Sequence, residues 1–229
     1  MKETVKIAID GPAGAGKSTV AKIIAQRLGY IYIDTGAMYR ALTYKIIQLN
    51  LDLKDTSLLI NCANNTSITL DNSLGIANQL VYCDGKDVTE LIRTPAVNKL
   101  VSHVAQISEI RTIMVKIQQK LGLTNNIIMD GRDIGSVVLP EAKYKFFLTA
   151  ALEERVKRRQ KELLEKGYNV EYKTVMNDLL NRDLLDTTRE TAPLKIAEDA
   201  IIIDTSSLTL AEVVEKILAI VMEGEKDAL

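Results

Sequence analysis

Short apolar runs separated by helical periodicities dominate the chain. Five β-rich runs occupy residues 5–10, 30–34, 126–130, 143–148 and 200–204, and most of them are almost continuously apolar. Such runs are typical of strands in a parallel sheet that is covered on both faces, because neither side of these strands meets water. The pattern therefore predicts five buried, parallel strands.

Amphipathic helices are predicted between these strands. After the first strand, apolar residues recur at three- and four-residue spacing up to Gly29, which favours the left-handed conformation found after a helix. Thr94 and Pro95 form a typical N-cap and first-turn pair. The last helix is predicted to begin at Thr209, where Glu212 completes a capping box. Alternating strands and helices predict an α/β fold with a doubly wound, five-stranded parallel sheet.

One segment breaks the alternation. Between residues 66 and 94, two strand-like runs at 67–71 and 79–85 are flanked by turn-forming residues. Two short strands are too few for a stable sheet of their own. We therefore predict a single domain over residues 1–229 that carries a small β-containing insert at 66–94.

Composition and charge exclude several classes of protein. Of 229 residues, 47% are hydrophobic and 26% charged, as in globular proteins, and the net charge of −1 provides no overall attraction to nucleic acid or anionic membranes. The longest apolar run, residues 217–222, is far shorter than the roughly 20 residues that span a bilayer. Residues 1–10 carry charges and lack a signal-peptide core. We expect a cytoplasmic protein with neither nucleic-acid nor membrane partners.

The cysteines and the histidine offer little chemistry. Cys62 and Cys83 lack the spacing of a zinc site, and a disulfide framework is not expected in a reducing cytosol. His103 is the single histidine and lies in an amphipathic stretch, so we interpret it as an ordinary helix residue.

Residues 11–18 (GPAGAGKS) match the phosphate-binding pattern G-x-x-x-x-G-K-S/T and lie between a predicted strand and a predicted helix. In such a loop, main-chain N–H groups converge on phosphate oxygens, Lys17 reaches the β- and γ-phosphates, and Ser18 can hold magnesium. A tight turn that uses glycines only for geometry is the alternative, and it leaves the Lys-Ser pair unexplained. The predicted ATP-binding residues here are Gly11, Pro12, Ala13, Gly14, Ala15, Gly16, Lys17, Ser18 and Thr19.

The positions of the arginines carry more information than the total charge. Ten arginines accompany nineteen lysines, and guanidinium groups are suited to two-pronged contacts with phosphate. Arg40 follows the second strand, and Arg132 and Asp133 follow the third. Because ligands bind at the carboxyl edge of a parallel sheet, we expect these three residues to line a ligand site.

Two further groups of charged residues predict a lid over residues 150–190. Each group has helical spacing of three and four residues, so its members share one face of a helix. The first group is Arg155, Arg158 and Arg159, and the second is Arg182, Asp186 and Arg189.

Solvated charges are the alternative for the lid. Glu153 with Lys157, and Glu154 with Arg158, have the i, i+4 spacing of surface ion pairs. The aspartates that end three strands could likewise serve only as caps of the following turns. These aspartates are Asp34, Asp130 and Asp204.

Four strings resemble, in order along nearly the whole chain, the signatures of bacterial cytidylate kinases. They are residues 11–18, 34–40 (DTGAMYR), 131–140 (GRDIGSVVLP) and 182–194, and the second and third are specific to that family among nucleoside monophosphate kinases. The resemblance implies a P-loop core with a helical lid and a nucleotide-binding insert. It also implies magnesium-assisted transfer of the γ-phosphate of ATP to CMP or dCMP by an enzyme of pyrimidine nucleotide metabolism, for which we expect a monomer.

The resemblance also implies roles for individual residues. Thr35 stands where the family often has serine, and Lys120 where it often has arginine, so no role is transferred to Lys120. Ala192 and Pro193 would border the ATP base. The residues implied to bind CMP are Thr35, Arg40, Ser102, Arg111, Arg132, Asp133, Arg182 and Asp186. Those implied to be catalytic are Lys17, Arg132, Arg155, Arg159 and Arg189.

Two other functions remain open on the sequence alone. One is a P-loop kinase for another small molecule; a hydroxyl acceptor would need an aspartate base, and Asp34 could serve. The other is a regulator that binds ATP without turnover.

Overall fold

The computed structural model of the protein describes residues 4–73, 75, 79–123 and 125–226. Its core is a five-stranded sheet in the spatial order β2-β6-β1-β7-β8, in which every pair is parallel. The predicted α/β fold with a doubly wound sheet is therefore confirmed. In chain order the strands are β1 Lys6–Asp10, β2 Ile31–Asp34, β3 Ile68–Asp71, β4 Leu80–Cys83, β5 Lys86–Asp87, β6 Ile127–Asp130, β7 Tyr144–Thr149 and β8 Ile201–Asp204.

Helices cover both faces of this sheet. One face packs against α1 and α8, and the other packs against residues 134–142 and part of α5. Burial on both faces explains why most of the strands are almost continuously apolar. The prediction of five buried strands is wrong for the edge strand β8, because only Ile203 of its four residues is buried. The helices are α1 Lys17–Leu28, α2 Thr35–Gln48, α3 Thr56–Asn64, α4 Pro95–Gln106, α5 Ser108–Leu121, α6 Leu152–Glu165, α7 Tyr172–Thr188 and α8 Leu210–Lys226.

The predicted helix ends are present. Gly29 follows α1 with φ of 66°, and the Thr94 side chain accepts a hydrogen bond from the N–H of Val97 at the start of α4. Before α8, the main-chain N–H of Thr209 donates to Glu212, and the Glu212 N–H donates to the Thr209 hydroxyl. In the part of the chain that the structure describes, no helix combines the length and apolar character needed to cross a membrane.

The insert is a three-stranded antiparallel sheet in the order β3-β4-β5, one short strand more than expected. Its buried residues Ile68, Val81 and Cys83 pack with α2 and α3 in one apolar cluster. Helices α6 and α7 occupy the region predicted to be a lid and pack against each other; the name lid is used below for this helix pair. Residues 166–171 join them, and both helices pack on Ala13 of the phosphate-binding loop.

Candidate active site

The loop between β1 and α1 is shaped by glycines. Gly11 has φ of 144°, and a Cβ there would lie 1.9 Å from the main-chain oxygen of Leu148, so only glycine fits. Gly16 precedes α1 with φ of 87°. The Lys17 Nζ folds back over the loop and donates to the main-chain oxygen of Pro12 at 2.7 Å. Burial lowers the pKa of Lys17 because the charged ammonium group loses its water shell, and the nearby Arg132 lowers it further. An anionic ligand bound at the loop would stabilise this charge.

Ser18 lies beside the carboxyl end of β6. Its hydroxyl donates to Asp130 Oδ2 at 2.7 Å, and the Tyr32 hydroxyl donates to Asp130 Oδ1 at 2.7 Å. Burial raises the pKa of Asp130, and the nearby Asp34 raises it further. The Asp130 side chain therefore accepts hydrogen bonds from these two hydroxyls. The alternative interpretation, that Asp130 only caps the following turn, does not describe these contacts.

The Ser18 and Asp130 oxygens fit a magnesium ion. Mg²⁺ is a hard cation that proteins hold through one or two oxygen ligands, with substrate phosphates and water completing its shell. A hydroxyl and a carboxylate in contact beside the phosphate-binding loop supply such a pair. Within the described ranges, no group of three or more His, Cys, Asp and Glu side chains could form a larger metal site.

A shallow cleft lies beside the loop, between α2, α4, α5 and the lid. Seven of the eight residues expected to bind CMP line it, together with Arg189. The eighth, Arg40, pairs with Asp34 at the start of α2. The seven are Thr35, Ser102, Arg111, Arg132, Asp133, Arg182 and Asp186.

Buried ion pairs organise this cleft. Arg111 is 1% exposed, pairs with Asp133 at 2.5 Å, and has its guanidinium 5.4 Å from the centre of the Tyr39 ring. Arg189 lies 3.6 Å from the other oxygen of Asp133. Asp133 thus joins α5 to the end of the lid, and both guanidinium groups face the same carboxylate.

Asp186 forms a second such junction. Its carboxylate accepts from Arg132 Nε at 2.8 Å and lies 3.7 Å from Arg189 Nη1. Burial would raise the pKa of Asp186, but Arg132 and Arg182 hold it below its usual value. The lid helix α7 is therefore tied through Asp186 to the segment that follows β6.

The charge of Arg182 is only partly compensated by its surroundings. Its Nε is buried without a hydrogen-bond partner, and burial together with Arg132 lowers the pKa of Arg182 to about 9. A buried guanidinium beside another cation is costly unless an anion is present. The cleft therefore favours a bound anion near Arg132 and Arg182.

Asp34 caps α2 and also pairs with two arginines. Its carboxylate accepts from the N–H of Ala37 at 2.8 Å and lies 3.0 Å from Arg40 and 3.1 Å from Arg93. Burial alone would raise the pKa of Asp34, yet Arg40 and Arg93 lower it to about 2. Sequence reasoning missed Arg93, which joins the insert to the site; its place directly before the Thr94 cap was the available signal.

The three lid arginines of α6 have three different partners. Arg155 donates to the main-chain oxygen of Ala13 at 3.1 Å and pairs with Asp183 of α7 at 2.5 Å. Arg159 pairs with Glu162 at 2.7 Å on the same helix. Asp183 was also missed, although it lies beside Arg182 in the sequence.

The ion pairs weighed as the alternative for α6 are not those the structure contains. Lys157 pairs with Glu154, at i, i+3, in place of Glu153. Arg158 donates to the hydroxyl and main-chain oxygens of Thr205 after β8, in place of Glu154. A tertiary neighbour therefore decides the partner of Arg158, whereas Lys157 keeps a partner on its own helix, three residues away. Asp204 does cap its turn, because its carboxylate accepts from the N–H and hydroxyl of Ser206.

The residues expected near the ATP base lie just after α7. Ala192 has φ of 50°, and its carbonyl accepts from Arg189 Nε at 2.7 Å. Thr191 and Ser108 share a hydroxyl hydrogen bond of 2.7 Å, which links this connection to the start of α5. Ala192 and Pro193 are half-buried beside the cleft residue Arg189.

Comparison with known proteins assigns the family. The family model described as cytidylate kinase matches residues 7–223. The chain belongs to the cytidylate kinase family. It is 52% identical over 223 residues to a cytidylate kinase of Caldanaerobacter subterraneus subsp. tengcongensis, with 97% of each chain covered, and 51% identical over 226 residues to that of Bacillus subtilis, with 99% of this chain and 100% of the relative covered. The resemblance noted in the sequence is thereby confirmed.

One solved structure shows the shared fold. A protein of Eubacterium ventriosum described as uncharacterized aligns with a TM-score of 0.52 at 13% identity, covering 96% of this chain and 99% of that chain. At that identity the likeness concerns the fold alone.

Proposed function

We propose that this cytidylate kinase family member transfers the γ-phosphoryl group of ATP to CMP or dCMP, forming ADP and CDP or dCDP. The observation that carries this proposal is that seven of the residues expected to bind CMP line one cleft beside the phosphate-binding loop. We also propose that the enzyme acts as a cytoplasmic monomer on free nucleotides. Its binding partners in this account are CMP, dCMP and ATP, and no nucleic acid.

The reaction needs charge neutralisation more than a base. The attacking group is an α-phosphate oxygen of CMP, which is already ionised at neutral pH. Catalysis then rests on in-line positioning and on cations that face the migrating phosphoryl group. His103 is exposed on α4 and does not line the cleft, so we assign it no part in the reaction.

We assign the catalytic cations to the loop, the cleft and the lid. Lys17 and Arg132 lie beside the transferring group in this proposal, and Arg189 reaches it from the end of α7. Arg155 and Arg159 are held by Asp183 and Glu162, so they act only after exchanging those carboxylates for phosphate oxygens. Lid closure would make that exchange and also exclude water.

Ser18 and Asp130 are the proposed holders of magnesium. When bound there, magnesium supplies positive charge to the phosphates of ATP. The remaining loop residues 11–19 bind the phosphates through their main chain, and Ala192 and Pro193 border the adenine. Arg40, Arg132 and Arg182 are the proposed partners of the CMP phosphate.

Arg111 and Asp133 are the proposed readers of the base. Cytosine presents an amino donor with N3 and O2 acceptors, whereas uracil presents an O4 acceptor and an N3–H donor. Asp133 can accept from the amino group while Arg111 donates to the ring, with Ser102 alongside. Uracil would leave these buried groups unpaired, at a cost of about 1–3 kcal/mol each.

The geometry disfavours a hydroxyl acceptor. That alternative required Asp34 as general base, but a carboxylate with a pKa of about 2 that is paired with two guanidinium groups is a poor proton acceptor. A regulator without turnover would not need the cations gathered beyond the phosphate-binding loop, and the family assignment favours the kinase.

The test compares kcat/KM for CMP and UMP in the parent, Arg111→Met and Asp133→Ala. We expect the CMP-to-UMP ratio to be at least about tenfold in the parent and to fall in both variants. The KM for ATP serves as the internal control, because neither residue contacts the phosphate-binding loop. Unchanged ratios in both folded variants would remove these residues from base recognition.

A further inference from the structure

Asp10, the last residue of β1, has a carboxylate that neither the mechanism nor the proposed substrate contacts use. It is 5% exposed. One of its oxygens accepts from the main-chain N–H of Ile134 at 2.8 Å, and the other accepts from the N–H of Gly135 at 2.8 Å. Both hydrogen bonds are buried and reach 124 and 125 residues along the chain.

These two N–H groups begin a short π-helical turn, Ile134–Val138, which starts directly after Asp133. The first N–H groups of a helical turn have no partner inside the turn, and a negative charge is favourable beside them. Because each oxygen of Asp10 holds one N–H, the carboxylate fixes both the position and the rotation of this main chain. Asp10 also precedes Gly11, so it connects the turn directly to the phosphate-binding loop.

A buried carboxylate here is unfavourable for the fold. Burial raises the pKa of Asp10 to about 6; the two N–H groups and Lys17 oppose this rise, and Asp133 adds to it. A carboxyl that is easier to protonate in the folded state destabilises the fold once it is ionised at neutral pH. Fold stability alone therefore does not account for an aspartate at this position.

We infer that Asp10 is a positioning residue that fixes Arg132 and Asp133 relative to the phosphate-binding loop. One side chain would then hold the CMP-binding residues at a fixed position relative to the ATP-binding loop. This inference rests on the proposed function, which places CMP against Arg132 and Asp133.

Asp10→Asn is the sharpest test. Asparagine keeps one oxygen acceptor but turns an amide donor toward the second N–H, so the turn loses one anchor at nearly constant side-chain volume. We expect kcat/KM for CMP to fall at least about tenfold while the affinity for ATP stays within about threefold. The urea midpoint should be unchanged or higher, because the buried charge is gone.

Tyr144→Phe is the matched control. It also removes a buried hydrogen-bonding group, since the Tyr144 hydroxyl donates to the main-chain oxygen of Val221, but it lies at the first residue of β7, on the sheet edge opposite the cleft. Its kcat/KM for CMP and its ATP affinity should both match those of the parent.

Two results would overturn the inference. Unchanged kcat/KM for CMP in folded Asp10→Asn is one, and an equal loss for CMP and ATP with a lower urea midpoint is the other, because that pattern indicates a purely structural role. If Asp133→Ala also leaves CMP use unchanged, the proposed CMP placement has failed as well; if Asp133→Ala impairs it, only the role of Asp10 has failed.

A measurement on the parent keeps the inference testable if Asp10→Asn does not fold. In the absence of nucleotide, the amides of Ile134 and Gly135 should exchange with solvent as slowly as those of β6. Exchange as fast as in the exposed connection 166–171 would overturn the inference.

Discussion

Replacing Asp34 with asparagine should weaken the fold by an amount that depends on pH. The carboxylate is 3% exposed, caps α2, and pairs with Arg40 of α2 and Arg93 of the insert. Asparagine is as good an N-cap as aspartate. The substitution therefore removes the two ion pairs while leaving the cap in place.

The pKa of Asp34 sets the magnitude. It is about 2 in the folded protein against 3.8 for the free side chain. At about 1.4 kcal/mol per pKa unit, the ionised carboxylate contributes about 2.5 kcal/mol at neutral pH. Because the folded-state pKa is the lower one, this stability is complete above about pH 4 and is lost as the pH falls toward 2.

Urea unfolding followed by circular dichroism measures this contribution. Asp34→Asn should be less stable than the parent by about 2.5 kcal/mol at neutral pH, and the difference should shrink to about half by pH 3. Asp55→Asn is the matched control, because Asp55 caps α3 through the N–H of Leu58 at an exposed position; it should cost only a few tenths of a kcal/mol. A deficit that is independent of pH, or equal in the two variants, would refute the reasoning.

The remaining predictions concern catalysis. Lys17→Met should retain the fold and lower kcat at least about a hundredfold in a coupled ADP-release assay, because a preorganised cation is lost; near-normal turnover would contradict the loop assignment. Arg159→Lys and Arg189→Lys should lower kcat more than ATP affinity, because lysine lacks the two-pronged guanidinium contact, which acts mainly in the transition state. A loss of ATP affinity at constant kcat would place these arginines in ground-state binding. Ser18→Ala should raise the magnesium concentration for half-maximal activity about tenfold, and an unchanged magnesium titration would exclude Ser18 as a ligand.

Local signals in the sequence were sufficient for the sheet and for several helix ends. The inner strands are apolar on both faces because both sides of the sheet are covered, and that condition is visible in a single run of residues. The edge strand β8 is apolar but largely exposed, so its burial could not be predicted from its run of residues. The Thr94 cap and the Thr209–Glu212 capping box depend on residues three positions apart. Helix caps that depend on residues this close in the sequence can be predicted without knowing where the rest of the chain lies.

Helices α2 and α3 were not predicted from the periodicity. Seven residues of α2 between positions 37 and 46 are buried, and they point in several directions because the sheet, the insert and α4 surround the helix. A helix enclosed in this way shows no single apolar stripe. The two-residue strand β5 was missed because it forms only by pairing with β4.

Side-chain partners in the site could not be predicted from spacing. Helical spacing places Arg155, Arg158 and Arg159 on one face, yet Arg158 is held by Thr205 and Arg155 by Asp183, each brought in by a distant part of the chain. The same holds for Asp10, whose partners lie beyond residue 130. Residue types indicated the chemistry, whereas only the fold determines which groups meet.

The specificity of the acceptor site tests the central claim most directly. The measurement is kcat/KM for CMP, dCMP, UMP, AMP and GMP on the parent enzyme, with ATP and magnesium held constant. CMP and dCMP should be good acceptors, UMP should be poorer by at least about tenfold, and AMP and GMP should be nearly inert, because in the proposed binding mode Arg111 and Asp133 match the donor and acceptor groups of cytosine and not those of uracil. Equal use of UMP and CMP, or preference for a purine monophosphate, would contradict the account.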